Sequence, residues 1–370
     1  MATIELQNIW KSYPGHEGAA LADFSLRIAK GEIVALLGPS GCGKTTALRL
    51  MAGFEAPDRG AILFDGRDMA GIPPEKRHIG MVFQDYALFP HLDVSRNIGF
   101  GLKRSEATAR IVARLIDFAG LQGHEHKRPD QLSGGQQGRV ALARALARDP
   151  VVVLLDEPFG ALDADLRGKM QQDVSAMIRK SGSTAVFVTH DHKEAMTLSD
   201  RIAVMKEGRV EQVGAPREIY QQPETRFVAT FLGGSNLLAG RMAADGHSIE
   251  TPFGLVPCHH THGRAPGERV MFCIRSCGFE RDSEGPLRGR IVQRVFTGEN
   301  TDARLSVPLP DGSCQELSVH LHPEDDVEEG AEVRFRILPY FVAVVVDRQR
   351  GKSGCEKIPG VGVRPAFPMT

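Results

Sequence analysis

The stretch Gly38-Pro39-Ser40-Gly41-Cys42-Gly43-Lys44-Thr45 decides the fold of this chain. The apolar run Ile33 to Leu37 directly before it predicts a short buried strand, and the run Thr45 to Ala52 at its end favours a helix. Glycines in such a turn let successive backbone N–H groups converge on one point. The helix N-terminus adds roughly half a positive charge there and Lys44 adds a full one, so the pattern predicts phosphate binding.

This strand, loop and helix match the P-loop pattern, whose natural ligand is a nucleoside triphosphate. Thr45 places a hydroxyl where it binds the Mg²⁺ ion that bridges the β- and γ-phosphates. The alternative is a glycine-rich turn with a solvated lysine, and the matching flanks on both sides count against it. The predicted nucleotide-binding residues of this segment are Gly38, Pro39, Ser40, Gly41, Cys42, Gly43, Lys44, Thr45 and Thr46.

A second buried strand supplies two adjacent carboxylates. The apolar run Val151 to Leu155 ends in Asp156-Glu157-Pro158. A buried parallel strand delivers its C-terminal residues to the ligand edge of a sheet, and Pro158 ends the strand there. Beside a phosphate-binding loop this pair predicts catalysis, in which Asp156 binds the metal and Glu157 deprotonates water. The predicted fold class is therefore α/β, with the ligand at the strand C-termini.

A third motif, Leu132-Ser133-Gly134-Gly135-Gln136, resembles the signature of ATP-binding cassette (ABC) ATPases. Four other cassette markers occur along the chain, in the order that the family shows. They are Tyr13 before the P-loop, Gln84 in Val82-Phe83-Gln84-Asp85, Asp163 in Ala161-Leu162-Asp163, and His190 after the apolar run 185–189. The resemblance is close from residue 3 to residue 232.

The resemblance implies ATP and Mg²⁺ as cofactors and a role for each marker. Tyr13 is expected to stack on the adenine, and Asp163 to contact the nucleotide. Gln84 is expected to bind the metal and take part in catalysis. His190 is expected to contact the γ-phosphate.

The resemblance also implies a homodimer, in which each of two ATP molecules lies between Lys44 of one chain and residues Ser133, Gly134, Gly135 and Gln136 of the other. Ser133 and Gln136 also form a capping box that opens a helix, which by itself explains both residues. It does not explain two consecutive glycines, each unfavourable in a helix by roughly 0.5–1 kcal/mol relative to alanine. The glycines therefore indicate close approach of another molecule.

Two of the markers also have a purely structural interpretation. His190 ends an apolar strand, where a satisfied core histidine is the commoner case. Its place after the strand and before Asp191, with Glu194 completing another capping box, favours the phosphate contact. Tyr13 lies near Trp10, and an aromatic side chain near a strand end usually belongs to the core, so adenine stacking rests on its place in the family pattern.

Composition and charge limit the class of protein. With 370 residues the chain is long enough for two domains, and its formal net charge of −1 gives no sign of a nucleic-acid partner. The six cysteines form no Cys-x-x-Cys pair, which is typical of a reducing cytosol. The N-terminus lacks a signal-peptide pattern, and no stretch approaches the ~20 apolar residues of a membrane-spanning helix. A role at a membrane would therefore require a partner.

The sequence divides into three parts. Residues 3–235 form the predicted ATPase domain, with an antiparallel sheet beside the nucleotide site and a helical subdomain at about 87–147. Residues 236–347 contain short strand-like runs with turn signals, which predict a small, OB-like all-β domain. It resembles the accessory (TOBE-like) domain C-terminal to many bacterial importer ATPases. Residues 348–370, rich in Gly and Pro, predict a disordered tail.

Two motifs of the β domain contain residue types that occur in ligand sites. Ile274-Arg275-Ser276-Cys277 stands where such accessory domains often show Ile-Arg-Pro-Glu, so a ligand role for the domain is left open. Cys258-His259-His260-Thr261-His262 contains metal-ligand residue types. No second ligand cluster accompanies it, and a solvated loop is the favoured interpretation.

The segment Tyr86 to Val94 predicts a docking surface. Phe89 and Leu92 around Pro90 are expected to form an apolar protrusion, which a solitary enzyme would tend to bury. The alternative is a loop that packs into its own core. In the family, this segment frames a groove that receives a short coupling helix from a transmembrane subunit.

The resemblance thus predicts the ATPase subunit of an ABC importer, peripheral to the cytoplasmic face of the inner membrane. Its expected partners are a second copy, two transmembrane permease subunits and, indirectly, a solute-binding protein. A soluble ABC ATPase that acts on DNA or ribosomes is the alternative, but the usual second cassette or long coiled coil is absent from the sequence. A switch GTPase is disfavoured because no Asn/Thr-Lys-x-Asp segment occurs. The cargo is left open among ferric iron, polyamines, sulfate, sugars and phosphonates, with a preference for iron or polyamine.

Overall fold

The computed structural model of the chain describes residues 2–15, 18–103, 105–160, 164–325 and 327–346. The predicted nucleotide contact Asp163 lies outside the described residues, as does the predicted disordered tail 348–370. The described residues form an α/β part followed by an all-β part, and the predicted fold class is confirmed.

The α/β part contains ten strands and eight α-helices among the described residues. In chain order they are β1 Ile4–Ser12, β2 Ala19–Ile28, β3 Ile33–Leu37, α1 Lys44–Ala52, β4 Arg59–Phe64, β5 Arg67–Asp68, β6 Ile79–Val82, α2 Val94–Ile98, α3 Glu106–Phe118, α4 Gly134–Leu146, β7 Val152–Asp156, α5 Ala164–Ser181, β8 Thr184–Thr189, α6 His192–Leu198, β9 Arg201–Lys206, β10 Arg209–Gly214, α7 Pro216–Gln221 and α8 Arg226–Phe231.

A six-stranded sheet of order β10-β9-β3-β8-β7-β6 forms the centre of this part. Its strands are parallel except for β10. Strands β3, β7 and β8 are buried along their length apart from Asp156, as expected for parallel strands covered on both faces. Because these strands are parallel, their C-terminal ends meet at one edge of the sheet.

A four-stranded antiparallel sheet of order β2-β1-β4-β5 borders this centre. Its apolar residues share one core with α1 and with one face of the parallel sheet, for example Phe24, Leu36 and Leu48. Helices α2, α3 and α4 lie between β6 and β7 in the chain and pack against the other face. Among the described residues, no helix combines the length and the apolar character needed to cross a membrane.

The all-β part consists of two five-stranded antiparallel sheets around a shared apolar core. Their orders are β13-β12-β11-β14-β20 and β15-β19-β16-β17-β18. The strands are β11 Ser235–Met242, β12 Ser248–Thr251, β13 Gly254–Pro257, β14 Arg269–Arg275, β15 Phe279–Arg281, β16 Leu287–Phe296, β17 Thr301–Pro308, β18 Cys314–Leu321, β19 Glu332–Ile337 and β20 Val342–Val345.

Arg275 joins the all-β part to the helices α7 and α8. It is 1% exposed, and its guanidinium donates to the backbone carbonyl oxygens of Tyr220 (2.9 Å), Ala229 (2.9 Å) and Gly233 (2.7 Å). The guanidinium carbon also lies 4.3 Å from the centroid of the Tyr220 ring. Arg275 therefore stabilises the junction between the two parts, which gives the motif Ile274 to Cys277 a structural role.

Candidate active site

The P-loop connects β3 to α1. Gly43 is the N-cap of α1 with a left-handed backbone (φ 101°), and a Cβ at this residue would lie 2.3 Å from the carbonyl oxygen of Ala20. Only glycine fits this turn. Lys44 is 6% exposed, and its ammonium donates to the carbonyl oxygens of Gly38 (2.7 Å) and Pro39 (3.0 Å). A fixed positive charge thus lies at the start of a helix, which is the arrangement that phosphate binding requires.

Asp156 ends β7 and lies next to the first turn of α1. Its Oδ1 is 3.4 Å from Thr45 Oγ1. Burial, and secondarily the neighbouring charge of Glu157, raise the pKa of Asp156. A cation next to this carboxylate would offset both effects. A hydroxyl and a carboxylate are also the oxygen ligands that Mg²⁺ prefers, so these residues fit the predicted metal.

Glu157 and His190 follow the neighbouring parallel strands β7 and β8. Glu157 has a left-handed backbone (φ 44°), which is uncommon for a residue with a side chain, and its N–H donates to the carbonyl oxygen of Val188 at 3.2 Å. His190 Nδ1 lies 3.4 Å from Glu157 Oε1. The side chain of His190 is 63% exposed, so it is not a core histidine.

Gln84 follows β6 at the same edge of the sheet. A Cβ placed on Gly160 would lie 3.6 Å from Gln84 Nε2 and 3.7 Å from Glu157 Oε2, so both side chains border Gly160. The structure therefore brings together three of the predicted residues, Gln84, Glu157 and His190, from three separate strand ends.

Tyr13 lies beside the first turn of α1. Its hydroxyl donates to the Glu55 carboxylate and lies 3.5 Å from Thr46 Oγ1. Burial, followed by the hydrogen bond to Glu55, raises the pKa of Tyr13. The side chain is only partly buried, which argues against the core interpretation, and it stands next to the P-loop helix. Adenine stacking by this ring stays a prediction.

The signature segment opens α4 through the expected capping box. Ser133 Oγ accepts from the Gln136 N–H (3.4 Å), and Gln136 Oε1 accepts from the Ser133 N–H (3.0 Å). A Cβ added to Gly135 would meet only Met170 Sδ among the described residues, at 3.9 Å. The described part of the chain therefore does not itself require a glycine at this residue.

The prediction that Phe89 and Leu92 protrude is wrong, because both side chains are half-buried. The Phe89 ring packs against the Phe100 ring, with 4.0 Å between their centroids. The exposed phenylalanine side chains of the described α/β part are Phe54 (52%), Phe83 (36%) and Phe100 (52%). Phe54 and Phe83 form a second pair, with 6.5 Å between centroids. These two pairs, Phe54 with Phe83 and Phe89 with Phe100, are called the aromatic pairs below.

The histidine-rich segment after β13 packs against β20 and the turn before it. Cys258 is buried, with its Sγ 3.6 Å from the carbonyl oxygen of Val342, and the His259 ring lies 4.7 Å from the Tyr340 ring. Within the described ranges, no three His, Cys, Asp or Glu side chains group in a way that could hold a metal ion.

Sequence reasoning assigned Glu194 only to a capping box after His190 and missed that its carboxylate is buried. Glu194 in α6 is 5% exposed and accepts hydrogen bonds from Thr189 Oγ1 and from Gln171 Nε2 (3.1 Å). Burial raises the pKa of Glu194. Glu194 thus joins the end of β8 to α5. Its only signal in the sequence is an acidic residue in the first turn of a helix, which is normally explained by capping.

These features define a P-loop ATPase of the cassette type. They are the P-loop, the carboxylate pair at a nearby strand end, and the capped helix that starts with two glycines. The sequence model of the ABC transporter family matches residues 21–160. The spermidine/putrescine import ATP-binding protein PotA of Rubrobacter xylanophilus is 51% identical over 317 residues, which cover 82% of this chain and 84% of that protein. The PotA protein of Nitratidesulfovibrio vulgaris is 43% identical over 340 residues, 88% of this chain and 91% of that protein.

Solved structures give the same result. A dimeric ATP-binding cassette in a post-hydrolysis state with ADP and Pi is similar with a TM-score of 0.51 and 33% identity, over 58% of this chain and 98% of that chain. A subunit of a Clostridium perfringens ABC transporter complex has a TM-score of 0.55 and 31% identity, over 59% of this chain and 90% of that chain. This chain belongs to the ABC transporter family, as predicted, and is an ATP-hydrolysing transport subunit.

Proposed function

We propose that this chain drives the import of polyamines such as spermidine and putrescine. The observation that carries the proposal is the similarity to relatives named as spermidine/putrescine import ATP-binding proteins, which are 41% to 53% identical. Of the cargo classes that the sequence leaves open, this similarity favours polyamines over ferric iron. Cargo recognition would lie in the partner subunits, because this chain would act only through ATP.

The nucleotide would bind along the edge formed by the P-loop. Lys44 and the loop N–H groups would hold the β- and γ-phosphates, and the resemblance to the family assigns Tyr13 and Asp163 to contacts with the rest of the nucleotide. Thr45, Asp156 and Gln84 would hold Mg²⁺, which neutralises phosphate charge when bound. The raised pKa of Asp156 supports a cation at this point.

Glu157 is the proposed general base. It orients the attacking water and takes up its proton, while His190 contacts the γ-phosphate. The 3.4 Å distance between His190 Nδ1 and Glu157 Oε1 supports a shared task for these side chains. The hydrogen bond from the Glu157 N–H to Val188 supports a fixed direction for the carboxylate.

A second copy of the chain would complete each nucleotide site. Residues Ser133, Gly134, Gly135 and Gln136 of one copy would contact the nucleotide held by Lys44 of the other. Two observations support this arrangement. The described part of this chain leaves room for a Cβ at residue 135, so the glycine there is explained by a contact with another molecule. A similar cassette is dimeric with ADP and Pi.

The permease subunits would dock on the aromatic pairs. Exposed Phe54, Phe83 and Phe100 offer apolar contacts that are rare on a solvated surface. Phe83 directly precedes Gln84, so a permease segment bound there lies one residue from the proposed catalytic group. The chain would thereby be peripheral to the cytoplasmic face of the inner membrane, with a solute-binding protein acting through the permease.

The test is reconstitution of the chain with its permease subunits and solute-binding protein in liposomes. Spermidine with the solute-binding protein should stimulate ATP hydrolysis and produce uptake, whereas Fe³⁺ should do neither. Lys44→Ala should abolish both signals. Stimulation by Fe³⁺ alone would overturn the polyamine assignment. ATP hydrolysis that no permease changes would instead support a soluble ABC ATPase.

A further inference from the structure

The loop after Gln84 has a backbone conformation that needs support from outside the loop. Tyr86 (φ 61°) and Ala87 (φ 44°) are two consecutive residues with left-handed backbones and side chains. Such a conformation persists only where surrounding contacts fix it. Because the loop directly follows Gln84, the same contacts influence where Gln84 lies.

Arg144, in the last turn of α4, provides the first support. Its Nη1 donates to the carbonyl oxygen of Ala87 at 2.7 Å, and its Nη2 donates to that of Tyr86 at 2.8 Å. The planar fork of a guanidinium matches two adjacent acceptors, which a lysine ammonium does not. Helix α4 begins with the signature residue Gly134, so Arg144 connects the signature helix to the loop.

Tyr86 provides the second support. Its side chain is 3% exposed, and its hydroxyl donates to the carbonyl oxygen of Pro158 at 3.2 Å. Pro158 directly follows Glu157, the proposed base. The Tyr86 ring also packs against α4 at Gly138, where a Cβ would lie 3.2 Å from two ring atoms. Tyr86 therefore contacts both the signature helix and the catalytic loop.

We propose that Tyr86 and Arg144 are positioning residues, which transmit a displacement of α4 to Glu157 and Gln84. This inference rests on the proposed function, in which the signature residues at the start of α4 contact the partner's nucleotide. Three hydrogen bonds connect α4, the loop of Tyr86 and Ala87, and the carbonyl of Pro158. A movement of α4 on closure of the dimer therefore moves the proposed base and Gln84 together.

The first test removes one hydroxyl. Tyr86→Phe keeps the ring and loses the hydrogen bond to Pro158. Tyr220→Phe is the control, because its hydroxyl is partly buried and contacts Cys277 Sγ (3.6 Å) but lies at the junction with the all-β part. For Tyr86→Phe we expect kcat for ATP to fall about 3- to 10-fold, with ATP affinity changed by less than about 2-fold. Its melting temperature should fall no further than that of the control. An unchanged kcat, or a loss of affinity equal to the loss of rate, overturns the proposal.

The second test is a rescue. Arg144→Lys should lower kcat by a similar factor. Arg139→Lys on the same helix should not, because Arg139 contacts the Ala119 carbonyl (3.3 Å) and Asp173 (3.9 Å) and not the loop of Tyr86 and Ala87. Adding Ala87→Gly to Arg144→Lys should restore at least about half of the lost kcat, since glycine adopts the left-handed backbone without strain. A double variant no more active than Arg144→Lys overturns the proposal.

These measurements distinguish a failure of the positioning role from a failure of the proposed function. They measure ATP hydrolysis by the chain, first without and then with its permease, so they do not depend on the cargo. If the wild-type chain hydrolyses ATP and the Tyr86 and Arg144 variants match it, only the positioning role fails. If the wild-type chain hydrolyses no ATP, with or without its permease, both the proposed function and the positioning role fail.

Discussion

His190 Nδ1 lies 3.4 Å from Glu157 Oε1, although the two residues are far apart in the sequence. They meet because β7 and β8 are parallel neighbours, with Asp156 paired to Val188, so both strands end at the same edge. The left-handed backbone of Glu157 then turns the chain directly after the strand. A carboxylate and an exposed imidazole in contact at this edge can act together on a water molecule and a phosphate.

Replacing the proposed base should separate binding from turnover. Glu157→Gln keeps the size and most hydrogen-bonding capacity of the side chain but removes the group that accepts the proton. We expect ATP hydrolysis to fall by ~10²–10⁴, while nucleotide binding persists and the dimer accumulates. Steady-state ATPase rates and size-exclusion chromatography with ATP provide the measurement.

The control for this change is Glu75→Gln, at an exposed glutamate outside the site. It should hydrolyse ATP at the wild-type rate. Normal hydrolysis by Glu157→Gln would refute the assignment of the base and leave Asp156 or His190 to be tested in its place.

Removing the P-loop charge should affect binding itself. Lys44→Ala loses a buried ammonium that is held by the carbonyls of Gly38 and Pro39. A charge-assisted hydrogen bond contributes about 1.5–3 kcal/mol, so we expect ATP affinity to fall about 10- to 100-fold. Isothermal titration calorimetry measures it, with Lys30→Ala at an exposed loop as control. Equal affinities of Lys44→Ala and the wild type would contradict the phosphate cradle.

The stability of the folded chain should depend on pH through Asp156, because burial and the charge of Glu157 destabilise its ionised carboxylate. Its pKa is raised in the folded state by burial and by Glu157, so the folded state binds this proton more tightly than the unfolded state. The stabilisation from this proton is complete below the ordinary aspartate pKa and is lost as the pH rises through the raised value. Near neutral pH the ionised carboxylate is therefore unfavourable without a cation.

Asp156→Asn should accordingly raise the melting temperature at pH 7.5, in the absence of nucleotide and metal, while abolishing hydrolysis. The gain should shrink as the pH falls through the raised pKa of Asp156 toward the ordinary aspartate pKa of about 3.9, because below that value the wild-type carboxyl is protonated in both the folded and the unfolded state. Differential scanning fluorimetry from about pH 3 to about pH 8 measures this trend. Asp149→Asn, at an exposed left-handed residue that asparagine tolerates, is the control. A gain that is the same at every pH would contradict the electrostatic cause.

Motifs made of adjacent residues could be predicted from the sequence, because the interactions that determine their structure are local. The P-loop, the buried strand that ends at Asp156 and the capping box of Ser133 and Gln136 each depend on neighbouring residues. The fold class followed from the same patterns, since parallel buried strands bring their ends together.

Contacts between distant segments could not be predicted. Arg144 donates to the backbone carbonyls of Tyr86 and Ala87. Because every residue has a backbone carbonyl, the sequence does not indicate which ones accept a hydrogen bond. The exposure of Phe89 was predicted wrongly because its ring packs against Phe100, which lies just after the C-terminal end of α2. The role of Arg275 likewise depends on α7 and α8, which the sequence of the β domain does not specify.

The aromatic pairs offer a test of coupling to the membrane subunits. Phe100→Ser removes an exposed ring (52%) that packs on Phe89, so it should weaken docking of a permease segment while leaving the P-loop untouched. We expect permease-stimulated hydrolysis and transport to fall about 10-fold or more, as for an aromatic hot spot, with the rate of the isolated chain unchanged. Phe296→Ser is the control, since that ring is 66% exposed but belongs to the all-β part. Transport that survives Phe100→Ser and fails in Phe296→Ser would move the docking surface to the all-β part.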